Sequence, residues 1–405
     1  MVVSGARRVL ASAELVIDLD AVVSNYRLLV DGAPRAQVAE TRTSDDGVAV
    51  AVAAMVKADG YGVGGVQVAK ALRDAGCRTF FVANVGEGQE LRRGLRTDDS
   101  GHDRVDESNI LILNGAHPGT ESVLLRDDLV PVLNSLEQID RWSALAGPAN
   151  RLPAALHVDT GMNRLGLMPA EFERLLREPE VLASIDVQLF MSHLASADEP
   201  TSPQNPQQLQ RFDRLSARFH QSAIGGKVRA ARSLANSSGI FLGPDYHYDL
   251  VRPGYCLYGG NPTLGRPNPM QPVVSLEAPI VQVRSVEPGD SVGYGATYTA
   301  TQQRRLATLA VGYADGILRS LSARGKVFVD DCPAPIVGRI SMDLMTIDVT
   351  EVPDRSLWLG APVELIGPRR PIDEVASDAD TIGYELLVDL GRRYSRRYVT
   401  ASSMA

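Results

Sequence analysis

From Val48 to about Gly260, short apolar runs alternate with stretches whose apolar residues recur at helical spacing. The runs are Ala49–Val56, Phe80–Val85, Ile110–Leu113, Leu129–Leu133, Ala154–Val158, Val187–Met191 and Val228–Ala235, with a weaker eighth at Tyr248–Val251. Unbroken apolar runs suit strands covered on both faces, the pattern of a parallel sheet with helical crossovers. Eight such units predict an α/β fold, a closed (β/α)8 barrel of the TIM type.

The crossovers carry their own signals. Val66, Ala69 and Leu72 share one helical face before Gly76, and Ser135 with Gln138 forms a capping pair ahead of Ile139 and Leu145. Before the first run, Val22, Val23, Tyr26, Leu29 and Val30 form another stripe, with Asp20 as its expected N-cap. Arg35–Gly47 and Arg96–Ser108 are polar and read as surface loops.

Beyond Pro272 the pattern changes to short strands separated by Gly and Pro: Ile280–Val286, Val292–Thr299, Arg305–Val311, Lys326–Val329, Ile336–Ile340, Leu344–Val349 and Val363–Ile366. This spacing predicts an all-β domain, closed by a helix around Ile382–Arg392. The Pro-rich stretch Asn261–Val273 reads as the linker. The expected domains are therefore 14–272 and 273–400, and 405 residues exceed the roughly 250–300 at which one core stops growing.

Composition narrows the classes of function. A net charge of -8 with no basic cluster speaks against a nucleic-acid surface. Cys77, Cys256 and Cys332 are far apart and lack metal-ligand spacing, so neither a disulfide framework nor a zinc site is expected. No stretch approaches the roughly 20 apolar residues of a membrane span, and Met1–Ser12 lacks a signal-peptide core, so a cytoplasmic location is expected.

In a (β/α)8 barrel, chemistry is built at the C-terminal ends of the strands. Those positions carry Lys57, Asn84, Asn114, Asn134, Asp159, His193, Asn236 and Arg252. The first three asparagines suit caps for the helices that follow, and His193 on its own suits a satisfied buried histidine. Lys57 ends a buried apolar run. It either snorkels to solvent or, partly desolvated, offers a nucleophilic amine able to condense with an aldehyde such as pyridoxal phosphate. An anion site is expected after the last two strands, where "LANSSG" and "VRPGYCLYGG" supply Asn236, Ser237 and the exposed backbone of Gly254. Arg252, which keeps its proton, would leave a pyridine nitrogen unprotonated.

These segments resemble the alanine racemase family over most of the chain, about Leu15 to Val399. "AMVKADGYGVG" is similar to that family's cofactor-lysine motif, and "HVDTGMNRLGL", "SHLASADEP", "LANSS", "VRPGYCLYG", "VGYGATYTA", "VGYADGILRSLS", "PIVGRISMD" and "YELLVDLGRR" follow in the same order. The resemblance implies a pyridoxal 5'-phosphate enzyme acting on a small amino acid, a homodimer with sites shared between chains. It implies that Lys57 holds the cofactor and serves as one proton-transfer base, and that Tyr294 is the other base, reaching in from the β domain of a partner chain. Tyr61, Asn236, Ser237, Gly254, Tyr255 and Tyr384 would surround the phosphate, with Arg252 on the ring nitrogen and His193 near the ring. Arg164 and the backbone of Met342 would meet the substrate carboxylate, and Tyr313 would narrow the entrance. Asp198, Arg319, Arg339 and Ile382 would lie further out.

Three positions depart from the family pattern. His157 stands where a lysine, often carbamylated, usually orients the arginine here numbered Arg164; an imidazole cannot supply that anion, so a chloride or another carboxylate is expected to replace it. Val63 and Ser341 replace a more usual histidine and cysteine. The activity expected is interconversion of L- and D-alanine, supplying D-alanine for the cell wall. Alternatives are a racemase of another small amino acid such as serine, a non-catalytic binder of the cofactor or of cycloserine, and a decarboxylase; Arg252 disfavours the last.

Overall fold

The structure is a computed structural model and describes residues 8–32, 49–98, 100–146, 151–222 and 230–400. The chain divides into two compact units. One takes in Val23–Leu257 with Asn261–Pro269; the other takes in the described residues of Met1–Val22, Tyr258–Gly260 and Met270–Ala405. The loop Arg35–Gly47 lies outside the described residues.

A first strand, β1 (Glu14–Asp18), precedes the helix Leu19–Val30. That helix starts two residues earlier than the expected cap at Asp20 would set it, because the Asp18 carboxylate accepts the Ala21 N–H at 2.9 Å and Asp20 is already inside.

The first unit is a parallel barrel. Its strands are β2 (Ala51–Val52), β3 (Ala54–Met55), β4 (Thr79–Val82), β5 (Asn109–Ile112), β6 (Val130–Leu133), β7 (Leu152–His157), β8 (Ile185–Met191), β9 (Ala231–Ser233) and β10 (Leu250–Val251). From β3 to β9 each strand pairs in parallel with the next. The ring closes through β10, which pairs with β2, and through bonds from Asp249 N–H to Arg232 O and Arg252 N–H to Ala235 O. The predicted run Ala49–Val56 is thus two short strands, β2 paired with β10 and β3 with β4, and bonds to the β10 side run on from Ala53 N–H to Val251 O and Met55 N–H to Pro253 O, both at 3.0 Å. All four residues of β6 are buried, as two covered faces require.

Helices pack outside. Val68, Ala69 and Leu72 are the buried face of Gly65–Asp74, with Val66 partly covered. Ser135 does cap Leu136–Ser143, its hydroxyl accepting the Gln138 N–H at 3.3 Å. The polar loop at 96–108 is less superficial than its sequence suggests. Asp106 is buried, and its carboxylate takes Arg92 Nη1 at 3.0 Å while Ser108 O takes the same nitrogen at 2.9 Å.

The second unit is built on β11 (Val274–Val286), β14 (Arg304–Leu309), β15 (Lys326–Val329), β16 (Cys332–Pro335), β17 (Met345–Asp348), β18 (Pro362–Ile366) and β19 (Ser395–Val399), after the hairpin strands β12 (Ser291–Val292) and β13 (Tyr298–Thr299). β1 lies in this sheet, antiparallel to β11 and parallel to β19, although the expected boundary of 14–272 counts it with the barrel. β16, with Pro333 and Pro335, occupies a sheet edge, where missing N–H donors are tolerated. It replaces the strand expected at Ile336–Ile340, which keeps only a bridge from Ile336 to Ile347. The expected strand Val292–Thr299 is a hairpin whose tip is the 3-10 turn Tyr294–Ala296. The closing helix is shorter, Gly383–Asp389, and the helix Ile372–Asp378 precedes it.

Candidate active site

Lys57 follows β3 and opens a turn of unusual hand. Ala58, Asp59, Gly60 and Tyr61 have φ of 52°, 53°, 61° and 55°, and left-handed backbone costs about 1–2 kcal/mol for each residue with a Cβ. The turn is held by Gly60 N–H to Val56 O at 2.9 Å, Gly62 N–H to Ala58 O at 2.8 Å and Gly64 N–H to Asp59 O at 2.8 Å. Two carboxylates add to this: Asp59 Oδ1 accepts the Gly65 N–H at 2.8 Å, and Glu87 Oε1 accepts the Ala58 N–H at 3.0 Å. Burial lowers the proton affinity of the Lys57 amine, the Arg164 charge lowers it further, and Glu87 opposes both. The snorkelling alternative is weakened accordingly.

Tyr61, at the end of that turn, is only 6% exposed. Its hydroxyl lies beside Gly254, where an added Cβ would come within 2.2 Å of it. The Ser237 hydroxyl accepts the Gly254 N–H at 2.9 Å and the Cys256 N–H at 3.4 Å. Ser237, Gly254 and Tyr61 therefore bring two hydroxyls and a backbone N–H together at one point, the Tyr61 phenol taking the space a Gly254 side chain would fill, and Tyr255 is buried next to it in sequence. Such a donor set fits a phosphate. Asn236 has a different task in its side chain: Oδ1 accepts the Gly239 N–H at 2.9 Å and Nδ2 donates to Leu194 O at 3.5 Å, so it caps the turn after β9.

Arg252 is 2% exposed. Its guanidinium donates to the Ser233 hydroxyl, to Ser192 O at 2.6 Å and to Leu234 O at 3.4 Å, and no carboxylate among the described residues pairs with it. Burial pulls its pKa down to about 9, so it remains a cation at neutral pH. His193, at the end of β8, is driven well below the usual histidine range by burial and then by Arg252, Arg164, His157 and Lys57. The site is thus a group of cations and neutral imidazoles, suited to anionic ligands.

Asn134 and Asn114 correct the capping expectation. Asn84 does cap its helix, accepting the Glu87 N–H at 3.1 Å. Asn134 instead donates to Leu113 O and Val132 O at 3.0 and 2.8 Å and presents Oδ1 to His157 Nδ1 at 2.7 Å. Ser135 takes the cap, and Asn114 supplies only its carbonyl, to Gln138 Nε2. Arg164 sits on an exposed loop after β7. Asp159 Oδ1 gathers the N–H groups of Gly161, Met162 and Asn163 at 2.9, 2.9 and 3.2 Å, and Val158 bridges Leu167, so the loop is tied at its base. Among the described residues no carboxylate pairs with the Arg164 guanidinium.

Glu87 and Gln208 escape a reading by motif. Gln208, fully buried on the helix Gln204–Gln221, donates to Thr160 Oγ1 at 3.1 Å and His193 O at 2.9 Å and accepts from Ala195 N–H at 2.8 Å. It joins the rim segments after β7 and β8. A glutamine amid helical polar residues carries no local signal of that work.

The remaining expected site residues belong to the second unit. Tyr294, at the hairpin tip, is 72% exposed, and the cross-strand partner of Tyr298 is Val292. Arg339 lies against this tip, its Nη1 at 3.0 Å from where a Cβ on Gly295 would sit. Tyr313 and Met342 are brought together: Tyr313 N–H donates to Ser341 O at 3.1 Å and Ala314 N–H to Met342 O at 2.9 Å. Asp315 anchors that loop by accepting the Gly312 N–H at 2.8 Å. Tyr313, Met342, Ile382 and Tyr384 are all exposed on this unit, as is Arg319. Asp198 is exposed on the barrel unit.

A barrel with a desolvated lysine on its rim and an anion cradle near its last strands, followed by a β domain, defines a class of lysine-tethered cofactor enzymes. A family model for "Alanine racemase, N-terminal domain" matches residues 17–262, and one for "Alanine racemase, C-terminal domain" matches 273–398. The chain belongs to the alanine racemase family. It is 45% identical to an alanine racemase of Brucella canis over 97% of this chain and 95% of that one. With an alanine racemase of Rhodospirillum rubrum the identity is 46%, over 96% of each. Among solved structures, an alanine racemase from Bartonella henselae with covalently bound pyridoxal phosphate matches with a TM-score of 0.84 and 37% identity, covering 96% of this chain and all of that one. No described helix is long and apolar enough to cross a membrane, and no group of metal-ligating side chains occurs among the described residues.

Proposed function

We propose that the protein is a pyridoxal-phosphate-dependent alanine racemase that acts as a homodimer. The observation that carries this reading is Lys57: an amine of lowered proton affinity on a barrel rim, on the same turn as the phenol that completes the Ser237–Gly254 cradle. When bound, pyridoxal phosphate supplies an aldehyde for the substrate's amino group and a ring that draws electron density from Cα.

The chain's own residues do the rest. Ser237, Tyr61, Tyr255 and Tyr384 surround the phosphate beside the Gly254 backbone, with Asn236 shaping the turn. Arg252, fixed by Ser233 and Ser192, keeps a positive charge against the ring nitrogen, so that nitrogen is not protonated. Arg164 and the Met342 N–H receive the substrate carboxylate, and Tyr313 limits the side chain to a short one. The Lys57 amine removes or returns the Cα proton on one face and the partner subunit's Tyr294 on the other; inversion needs both. The exposure of Tyr294, Met342 and Ile382 on the second unit is consistent with a surface covered by a partner. D-alanine made in the cytoplasm by this reaction would feed cell-wall synthesis.

Incubation of the holoenzyme with L-alanine in D2O tests the reading. Loss of optical rotation should accompany deuterium at Cα of both enantiomers. Label without inversion would reject the second base, and a higher kcat/KM for serine or lysine than for alanine would reject the substrate.

A further inference from the structure

Glu87 does more than terminate its own helix. In a capping box the third helical residue reaches back to the N-cap N–H. Asn84 is the N-cap here, yet the two Glu87 oxygens go elsewhere: Oε2 accepts the Ala83 N–H at 2.7 Å and Oε1 the Ala58 N–H at 3.0 Å. One carboxylate thereby joins the ends of two adjacent barrel strands, β3 and β4.

Ala58 is the first residue of the left-handed turn, and three of its four members carry a Cβ. Backbone of this kind persists where surrounding groups over-determine it. Lys57 immediately precedes the turn, and Tyr61, with its hydroxyl at the Gly254 cradle, ends it. The bond to Glu87 is made at the residue next to the amine.

We infer that Glu87 is a positioning residue for cofactor capture: its carboxylate locks the Ala58–Tyr61 turn and so fixes the spacing between the Lys57 amine and the Tyr61 hydroxyl. This rests on the reading of Lys57 as the cofactor lysine. The charge of the same carboxylate also opposes the effects of burial and of Arg164 on the Lys57 ammonium. Besides these two charges, His193, beyond the end of β8, feels the Lys57 charge together with those of Arg252, Arg164 and His157.

Apoprotein mixed with pyridoxal phosphate across a pH series tests the inference without turnover. The Lys57 amine adds to the aldehyde carbon, a C–N bond forms, water leaves, and the yellow absorbance gives the rate. Glu87→Gln preserves size but turns an NH2 toward one of the two N–H donors. Capture should slow roughly 10–100-fold at its best pH. Its pH midpoint should also move down, because the charge that sustains the ammonium is gone. Glu87→Asp keeps the charge with shorter reach, and should slow capture with the midpoint nearly unmoved. Asp106→Asn, which loosens the same helix through Arg92, should lower the Tm and leave both readings at parental values. Parental rate and midpoint in Glu87→Gln, per folded molecule, would overturn the inference. Should that variant fail to fold, a parental rate in Glu87→Asp would overturn it alone. A parent chain that captures no aldehyde would instead reject the Lys57 reading, and the inference with it.

Discussion

His157 Nδ1 lies 2.7 Å from Asn134 Oδ1, and both side chains are buried. Because the Asn134 amide nitrogen already donates to two carbonyls, its oxygen must accept, which places the imidazole proton on Nδ1 and leaves Nε2 bare. Burial, then the Arg252 charge, pushes this histidine down to about 4. The unfolded chain takes up a proton below about pH 6.5 while the folded chain does not. Stability is therefore complete above that value and declines as the pH falls toward 4, by on the order of 3 kcal/mol from this group. His193 acts in the same direction.

The urea midpoint of the apoprotein should accordingly drop between about pH 7 and about pH 4.5. His157→Gln, which can still donate to Asn134, should show a smaller drop. Equal losses in parent and variant would remove His157 as the source.

Lys57→Ala should leave the purified protein colourless. Tyr294→Phe should stay yellow while kcat falls roughly 10²–10⁴-fold, the range of a lost general acid–base group. Its Cα hydrogen exchange should survive for one enantiomer only. Exchange persisting for both, with parental kcat, would deny Tyr294 its role.

Mixing these two inactive variants under subunit exchange tests the shared site. Each hybrid dimer would hold one intact Lys57–Tyr294 pair and one doubly altered pair, so activity should recover to about a quarter of the parental level. No recovery in a verified hybrid would place both bases in one chain.

Gly254→Ala puts a methyl 2.2 Å from the Tyr61 hydroxyl and 3.2 Å from Met55 Cβ. Both neighbours are buried, so displacement should cost about 1–3 kcal/mol. The expected sign is weaker cofactor retention on dialysis, with Tyr61→Phe in the same chain restoring Tm but not retention. Restored retention in the double variant would mean that the phenol does not hold phosphate.

Asp106→Ala should destabilise the barrel unit by about 3 kcal/mol, since it leaves the buried Arg92 without its nearest buried carboxylate. A denaturant titration reads this directly. A shift under about 0.5 kcal/mol, as at an ordinary surface site, would show that the 96–108 loop does not clamp the fold.

The barrel, the separate β domain and the reactive amine are local properties of the chain. Apolar runs such as Val130–Leu133 declare two covered faces by themselves, and "AMVKADGYGVG" declares its lysine and glycines in one contiguous stretch. Ser135 caps its helix as its spacing says, because a cap depends on residues three apart. Where partners are remote, the same reasoning fails. Asn134 has the form of a cap, yet its contact is with His157, a strand away. Asp106 sits in a polar stretch and pairs with a helix residue.

Only the tertiary structure decided that β1 would join β11 and β19, since Glu14 meets Glu277 and Ser395 across most of the chain. Likewise, only folding brings Glu87 to the residue after Lys57, and Ser237 to Gly254. Hydrophobic period and capping are set within a few residues, so the chain carries them openly; a hydrogen bond between distant strand ends depends on which ends the barrel makes adjacent.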